Sequence, residues 1–325
     1  MSVSPVTCLI AFASAAAVSG LSLPLWRKAC VRVGLVDDPG ARKIHSEPIP
    51  LAGGLAITTG MLLGLAGILM AGWAGWPGDP AANRAGFDPG QRPAFLLAIL
   101  GGALGMLALG LADDRVELRP AVKFAGQFLI ALGVAASGLR ITLFVPSLTF
   151  SYAVTILWIL TVTNAFNFMD NMNGLCTGLG LIAAGCFGLM AFTRAQPLAA
   201  LTAFLAAGAL LGFLPHNFPR ARSFLGDGGS HLVGFLASVL AILPHFYSAQ
   251  RPHRWAVLAP VLVLAVPLLD LVWVVILRWQ KGTPFYVGDT NHLSHRLVRR
   301  GLSPAAAVGL IWLLALGGGA LAFCL

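Results

Sequence analysis

Ten apolar runs, most of them close to twenty residues long, divide this chain. They lie at roughly 3–25, 51–72, 94–112, 121–138, 148–163, 175–193, 198–215, 230–248, 255–277 and 304–324. A helix rises about 1.5 Å per residue, so about twenty apolar residues match the ~30 Å hydrocarbon core of a bilayer. Inside hydrocarbon each segment must satisfy its own backbone N–H and C=O groups, which a helix does. The chain therefore reads as an all-α integral membrane protein of about ten transmembrane helices, one polytopic unit over residues 1–325. Composition supports this: 10% of residues are charged, against about a quarter in soluble domains. Mean hydropathy is +0.84. The five cysteines have no metal-type spacing, and Cys8, Cys186 and Cys324 sit in apolar runs as packing residues.

Ten spans sort the loops into two sets. One set holds 15 of the 21 basic residues, among them Arg27, Lys28, Lys43, Lys123, Arg220 and Arg296; the other holds six, Arg84, Arg92, Arg140, Arg194, Arg251 and Arg254. The positive-inside rule puts the richer set in the cytoplasm and both termini outside. Topology thus accounts for the net charge of +9, and nucleic acid is not an expected partner. The first run has no preceding basic residue and is followed by Arg27 and Lys28, which favours a retained helix over a cleaved signal peptide.

Each cytoplasmic loop carries a polar stretch. These are "DDPGARKIHSEPIPLAGGLAI" from Asp37, "LADDRVELRPAVKFAGQ" with Asp113 and Asp114, "NAFNFMDNMNGL" from Asn164, "HNFPRARSFLGDGGS" with Asp227, and "FYVGDTNHLSHRLVRRGLS" with His292 and His295. The outside loops are ordinary Gly/Pro/polar linkers. Interfacial helix ends are polar in any membrane protein, through caps and snorkelling side chains. That explains Asp79, Asp88 and Arg140, but not the adjacent Asp113–Asp114 pair, because neighbouring like charges at a span end need a cation or a proton-transfer role. Carboxylates and amides favour Mg²⁺, with Mn²⁺ as the alternative, over Zn²⁺. Mg²⁺ takes few protein ligands and shares its shell with substrate phosphates. Lys43, Lys123 and Arg296 are placed to neutralise phosphate oxygens, and "GDGGS" offers backbone that can approach a diphosphate. Together these features describe phosphoryl transfer to a lipid at the cytoplasmic face.

At these motifs the chain resembles the polyprenyl-phosphate N-acetylhexosamine-1-phosphate transferases, glycosyltransferase family 4. The resemblance is carried by Lys43–His45–Pro48–Pro50–Gly53–Gly54, by Asp113–Asp114 with Pro120 and Lys123, and by "NAFNFMDNMNG", "FLGDGGS" and "HLSHRL". It implies transfer of a HexNAc 1-phosphate from a UDP-sugar to undecaprenyl or another polyprenyl phosphate, with Mg²⁺, releasing UMP, as a membrane step of a cell-envelope glycan pathway in the inner (plasma) membrane. The implied partners are a UDP-N-acetylhexosamine and a polyprenyl phosphate lipid, with a homodimer compatible. By position, the resemblance makes Asn167 and Asp227 the metal ligands, and Asp113 and Asp114 the pair that deprotonates or orients the lipid phosphate. It gives Asn173 the uracil, and His292, His295 and Arg296 the loop over sugar and diphosphate. Asp170 matches an acid common in bacterial members. Lys43, His45, Lys123 and Asn217 complete the candidate substrate contacts.

Two departures matter. Bacterial members usually have Asp where this chain has Asn173, and Ser294 replaces the His expected between the two loop histidines. The second points to the undecaprenyl-phosphate GlcNAc-1-phosphate branch rather than the phospho-MurNAc-pentapeptide translocases. Asp270, an acid inside a span, leaves structural pairing, for example with Arg278, and a site role both open. Asn164, Asn171 and His216 read as caps or braces, and His231 as a helix-start residue. A lipid-phosphate flippase is the competing class. It predicts polar residues at mid-span or on both faces, whereas these clusters share one face.

Overall fold

The computed structural model describes residues 3–38, 47–73, 93–244, 246, 254–284 and 290–325. The candidates Lys43 and His45 lie outside the described residues. The described residues are mostly helical, and the described part of each of the ten apolar runs falls mainly on a helix or a broken helix. In order these are α1 (Pro5–Val33), α2 (Gly53–Trp73), α3 (Pro93–Val116), α4 (Pro120–Ala136), α5 (Leu148–Met169), α6 (Leu175–Thr193), α7 (Pro197–Asn217) and α8 (Gly226–Ile242). A 3₁₀ turn (Arg254–Leu258), α9 (Ala259–Val263), α10 (Ala265–Gln280), the short α11 (Leu293–Arg299) and α12 (Pro304–Phe323) follow. Among the described residues seven helices are long and apolar enough to cross a membrane alone. The bent pair formed by Trp255–Val263 and Ala265–Gln280 makes an eighth, and α4 and α8 are shorter apolar helices. This is a multi-pass membrane protein.

Several boundaries differ from the sequence expectation, each for a local reason. α1 does not stop at its basic residues but runs on to Val33, where Gly34 in the left-handed region ends it. α3 continues through Asp113 and Asp114, and α5 continues through Asn164 and Asn167, so these polar groups stand on final helical turns rather than in loops. The run at 255–277 is not one helix. It bends by 72° at Leu264, three residues before Pro267, which cannot donate to the preceding turn. "GDGGS" is not a free loop either; it forms the first turn of α8.

α8 is the post around which the site is built. Every residue from Gly228 to Ala241 is buried, as expected of a helix that is apolar all round. It packs against α2, α3, α5 and α6. Close crossings fix its start. A side chain at Gly110 of α3 would run into the Asp227 carbonyl, and one at Gly54 of α2 would meet the Gly229 nitrogen at 2.8 Å. The entry to α2 is tied to the same place. Strands β1 (Val36–Asp37) and β2 (Ile49–Pro50) pair antiparallel. Pro50 O then accepts from Phe224 N at 3.0 Å and from Ser223 Oγ at 2.8 Å, while Gly53 N donates to Phe224 O at 3.0 Å.

Candidate active site

The Gly110 crossing determines where the acids go. Three and four residues further along α3, on the same helical face, Asp113 and Asp114 overhang the first turn of α8. There the two carboxylates part company. Asp113 Oδ2 meets Lys123 Nζ at 2.5 Å, and its Oδ1 accepts from Leu118 N at 2.8 Å. Asp114 instead accepts from the backbone of α8, Oδ1 from Asp227 N at 2.8 Å and Oδ2 from Gly228 N at 2.9 Å. It thus supplies, from another helix, the acceptors that α8 lacks at its own start, where a carboxylate also complements the helix dipole.

Asp227 is the hub. Its Oδ2 accepts from Lys123 Nζ at 3.0 Å and its Oδ1 from Asn167 Nδ2 at 2.6 Å. Asn167 also donates to Ser230 Oγ at 2.9 Å, so its Oδ1 is left as the acceptor of the amide. The helical spacings i, i+3 and i, i+4 put two residues of α5 and two of α4 to this use. Asn164, three before Asn167, donates to Gln127 Oε1 at 2.7 Å, and Gln127 lies four after Lys123. Ser230 and the fully buried Gln127 were not among the sequence candidates. The spacing from Lys123 is the signal that points to Gln127. His231 Nδ1 donates to Asp227 O at 2.5 Å, a brace within the first turn of α8.

Beyond α5 the chain turns. Asp170 ends the helix, and burial, followed by the charges of Asp227 and Asp114, pushes its carboxyl well above the usual carboxylate range. Asn173 is exposed, and its Nδ2 donates to Pro219 O at 3.2 Å. The helix stops before residue 170, so Asn167, Asp170 and Asn173 do not share one helical face. Asn217, the last residue of α7, is buried. Its Oδ1 accepts from Gly174 N at 3.0 Å and Thr177 Oγ1 at 2.9 Å, and its Nδ2 donates to Ser223 O at 3.1 Å. These bonds make it a brace of the loops around the site.

The segment from Asp270 to Arg296 closes one side. His292 Nδ1 is 2.6 Å from Asp270 Oδ2, and its ring stands edge-on to Phe168, with centroids 5.8 Å apart. Arg278 lays its guanidinium over the same Phe168 ring at 4.8 Å. His295 lies beside His292, at 6.3 Å between centroids. Arg296 is turned onto the Trp273 ring, 4.8 Å away. Ser294 is fully buried and donates to Asn171 Oδ1 at 2.6 Å, which ties α11 to the turn after α5.

Asp113, Lys123, Asp227 and Asn167 are thus joined at helix ends within an almost entirely apolar multi-pass membrane protein. The model of the family described as glycosyl transferase family 4 matches residues 96–245, from the start of α3 to just past α8. A probable undecaprenyl-phosphate N-acetylglucosaminyl 1-phosphate transferase of Bacillus subtilis (strain 168) is 31% identical over 299 residues, covering 90% of this chain and 77% of the relative. A decaprenyl-phosphate N-acetylglucosaminephosphotransferase of Mycobacterium leprae is 37% identical over 309 residues (87% and 74%). The undecaprenyl-phosphate alpha-N-acetylglucosaminyl 1-phosphate transferase of Escherichia coli K12 is 27% identical over 305 residues (89% and 76%). The chain belongs to glycosyl transferase family 4.

Proposed function

We propose that this enzyme transfers N-acetylglucosamine 1-phosphate from its UDP derivative to a polyprenyl phosphate, at the cytoplasmic face of the inner membrane. An oxygen of the lipid phosphate bonds to the β-phosphorus of the sugar nucleotide. The bond from that phosphorus to the bridging oxygen breaks, and UMP leaves with the electron pair. The observation that carries the reading is the Asp113–Lys123–Asp227–Asn167 chain of contacts at the ends of apolar helices, where a polar headgroup and a water-soluble nucleotide can meet. The names of the relatives supply the sugar and the lipid.

The donor set fits a divalent cation. Asp227 and the Oδ1 face of Asn167 would hold it, and among the described residues no cluster of three or more His, Cys, Asp or Glu side chains forms a closed cage. Few protein oxygens suit Mg²⁺, or Mn²⁺, sharing its shell with a diphosphate. When bound, the ion neutralises diphosphate charge and makes the β-phosphorus easier to attack. Lys123, held by Asp113, adds a second positive charge on the same side. His292 stands edge-on to Phe168, the residue after Asn167, with His295 beside it, and both are proposed to face the diphosphate. The direct test is product analysis. Membranes containing the protein, given Mg²⁺, undecaprenyl phosphate and radiolabelled UDP-sugars, should yield a labelled lipid from UDP-GlcNAc. Labelled lipid from another UDP-sugar alone would overturn the choice of sugar, and none from any would overturn the reaction.

Asn173 is proposed to read the base. Its Oδ1 can accept the uracil N3–H, and its second N–H can donate to a uracil carbonyl. Asn173→Leu should raise KM for the UDP-sugar about tenfold, equivalent to about 1.4 kcal/mol, with kcat changed less. Asn173→Asp should keep part of this recognition. An unchanged KM in the Leu variant would assign the base to other residues.

The orientation proposed is ten crossings with both termini outside. In a Cys324→Ser background, an impermeant thiol reagent applied to intact cells should label Leu143→Cys and spare Arg220→Cys, both at exposed positions. The opposite pattern would move the site to the outer face and sink the reaction with it.

A further inference from the structure

The buried acid of α10 has a specific partner. Asp270 is 4% exposed, as is His292. Asp270 Oδ2 is 2.6 Å from His292 Nδ1, and Asp270 Oδ1 accepts from Leu293 N at 2.7 Å. A carboxylate facing Nδ1 requires a proton on that nitrogen. Nε2 of His292 has no partner among the described residues and is not one of the sealed, unpartnered polar atoms. The ring is also held in orientation, since Phe168 lies edge-on to it, directly after Asn167 in sequence. In both charge states of the imidazole, therefore, Nδ1–H is committed to Asp270 and Nε2 is the nitrogen left for a ligand.

We propose that Asp270 is a positioning residue for the transfer reaction: it fixes the Nδ1–H form and the ring orientation of His292, so that the bare Nε2 accepts a hydrogen bond from a protonated phosphate oxygen. This rests on the reading that His292 borders the reacting diphosphate. The contrasting role is a purely structural one, in which Asp270 only caps α11 through Leu293 N.

Asp270→Asn separates the two. The amide oxygen can still accept from Leu293 N, so the cap survives, but the amide NH₂ now faces Nδ1 and drives the proton to Nε2. The expected result is a kcat lower by about 10–100-fold, the usual scale for a residue that orients a functional histidine. KM for UDP-GlcNAc should stay within about threefold and the melting midpoint should be unchanged. In a His292→Ala background the same change should have no further effect on kcat, because a residue acting only through His292 has nothing left to act on. A wild-type kcat for Asp270→Asn, or losses that multiply in the double variant, would overturn the inference while leaving the reaction standing. Full turnover by His292→Ala would instead remove His292 from the proposed reaction. A readout independent of activity is the ¹⁵N spectrum of histidine-labelled wild-type protein, with His292 assigned through its loss in His292→Ala. The Nδ1–H form is expected, and an Nε2–H neutral form would overturn the proposal.

Discussion

Asp227→Ala is expected to reduce transfer by about three orders of magnitude in kcat, the scale of losing a principal electrostatic stabiliser of a phosphoryl transition state. No other described side chain touches both Lys123 and Asn167. Its removal takes away a carboxylate ligand of the proposed cation. It also leaves the Lys123 ammonium with Asp113 as its one remaining carboxylate. Asn167→Ala removes only the neutral member, so activity should persist at saturating metal, with the Mg²⁺ needed for half-maximal rate raised about tenfold. Initial rates of both variants across Mg²⁺ and Mn²⁺ titrations decide the matter. Full activity of Asp227→Ala at ordinary Mg²⁺ would sink the metal assignment.

The sequence exposed the membrane class and the site for the same reason: apolar runs are long and polar groups among them are costly, so the exceptions are conspicuous. It placed Asn167 and Asp227 in one cluster through their loops, and they are hydrogen-bonded. What it could not show is which polar group answers which. Asp113 and Asp114 are neighbours in sequence and look alike, yet successive helical residues point about 100° apart, so one meets Lys123 and the other the start of α8. The glycines of "GDGGS" read as a phosphate loop because glycine suits both flexible backbone and close helix crossings, and only the neighbours Gly54 and Gly110 reveal the second use. Arg278 lies on the same helix as Asp270, about two turns on. The partner of Asp270 is His292, which follows a connection whose course local periodicity does not encode.

Asp114→Ala should lower both stability and rate, and the coupling of the two is the point. The Asp114 carboxylate satisfies two backbone N–H groups in the first turn of α8, one of them the amide of Asp227 itself. Deleting it leaves both donors without a charged acceptor, a loss of about 1.5–3 kcal/mol for charged hydrogen bonds of this kind, so the melting midpoint should fall by several degrees. The same turn carries Asp227, and a displacement of the order of 1 Å there is enough to cost about 10²-fold in turnover. Asp114→Asn, with one oxygen to accept and an NH₂ facing the other amide, should fall between wild type and Ala on both measures. Asp113→Asn is the contrast. It loosens Lys123 but leaves the start of α8 untouched, so the rate should drop with little change in melting. Thermal melts and initial rates of the three variants, in the same detergent and at saturating UDP-GlcNAc, separate the roles. Should Asp114→Ala melt like wild type and still lose its rate, the carboxylate would be acting on the lipid phosphate directly, and the two acids would be the chemical pair that their adjacency in the sequence implies.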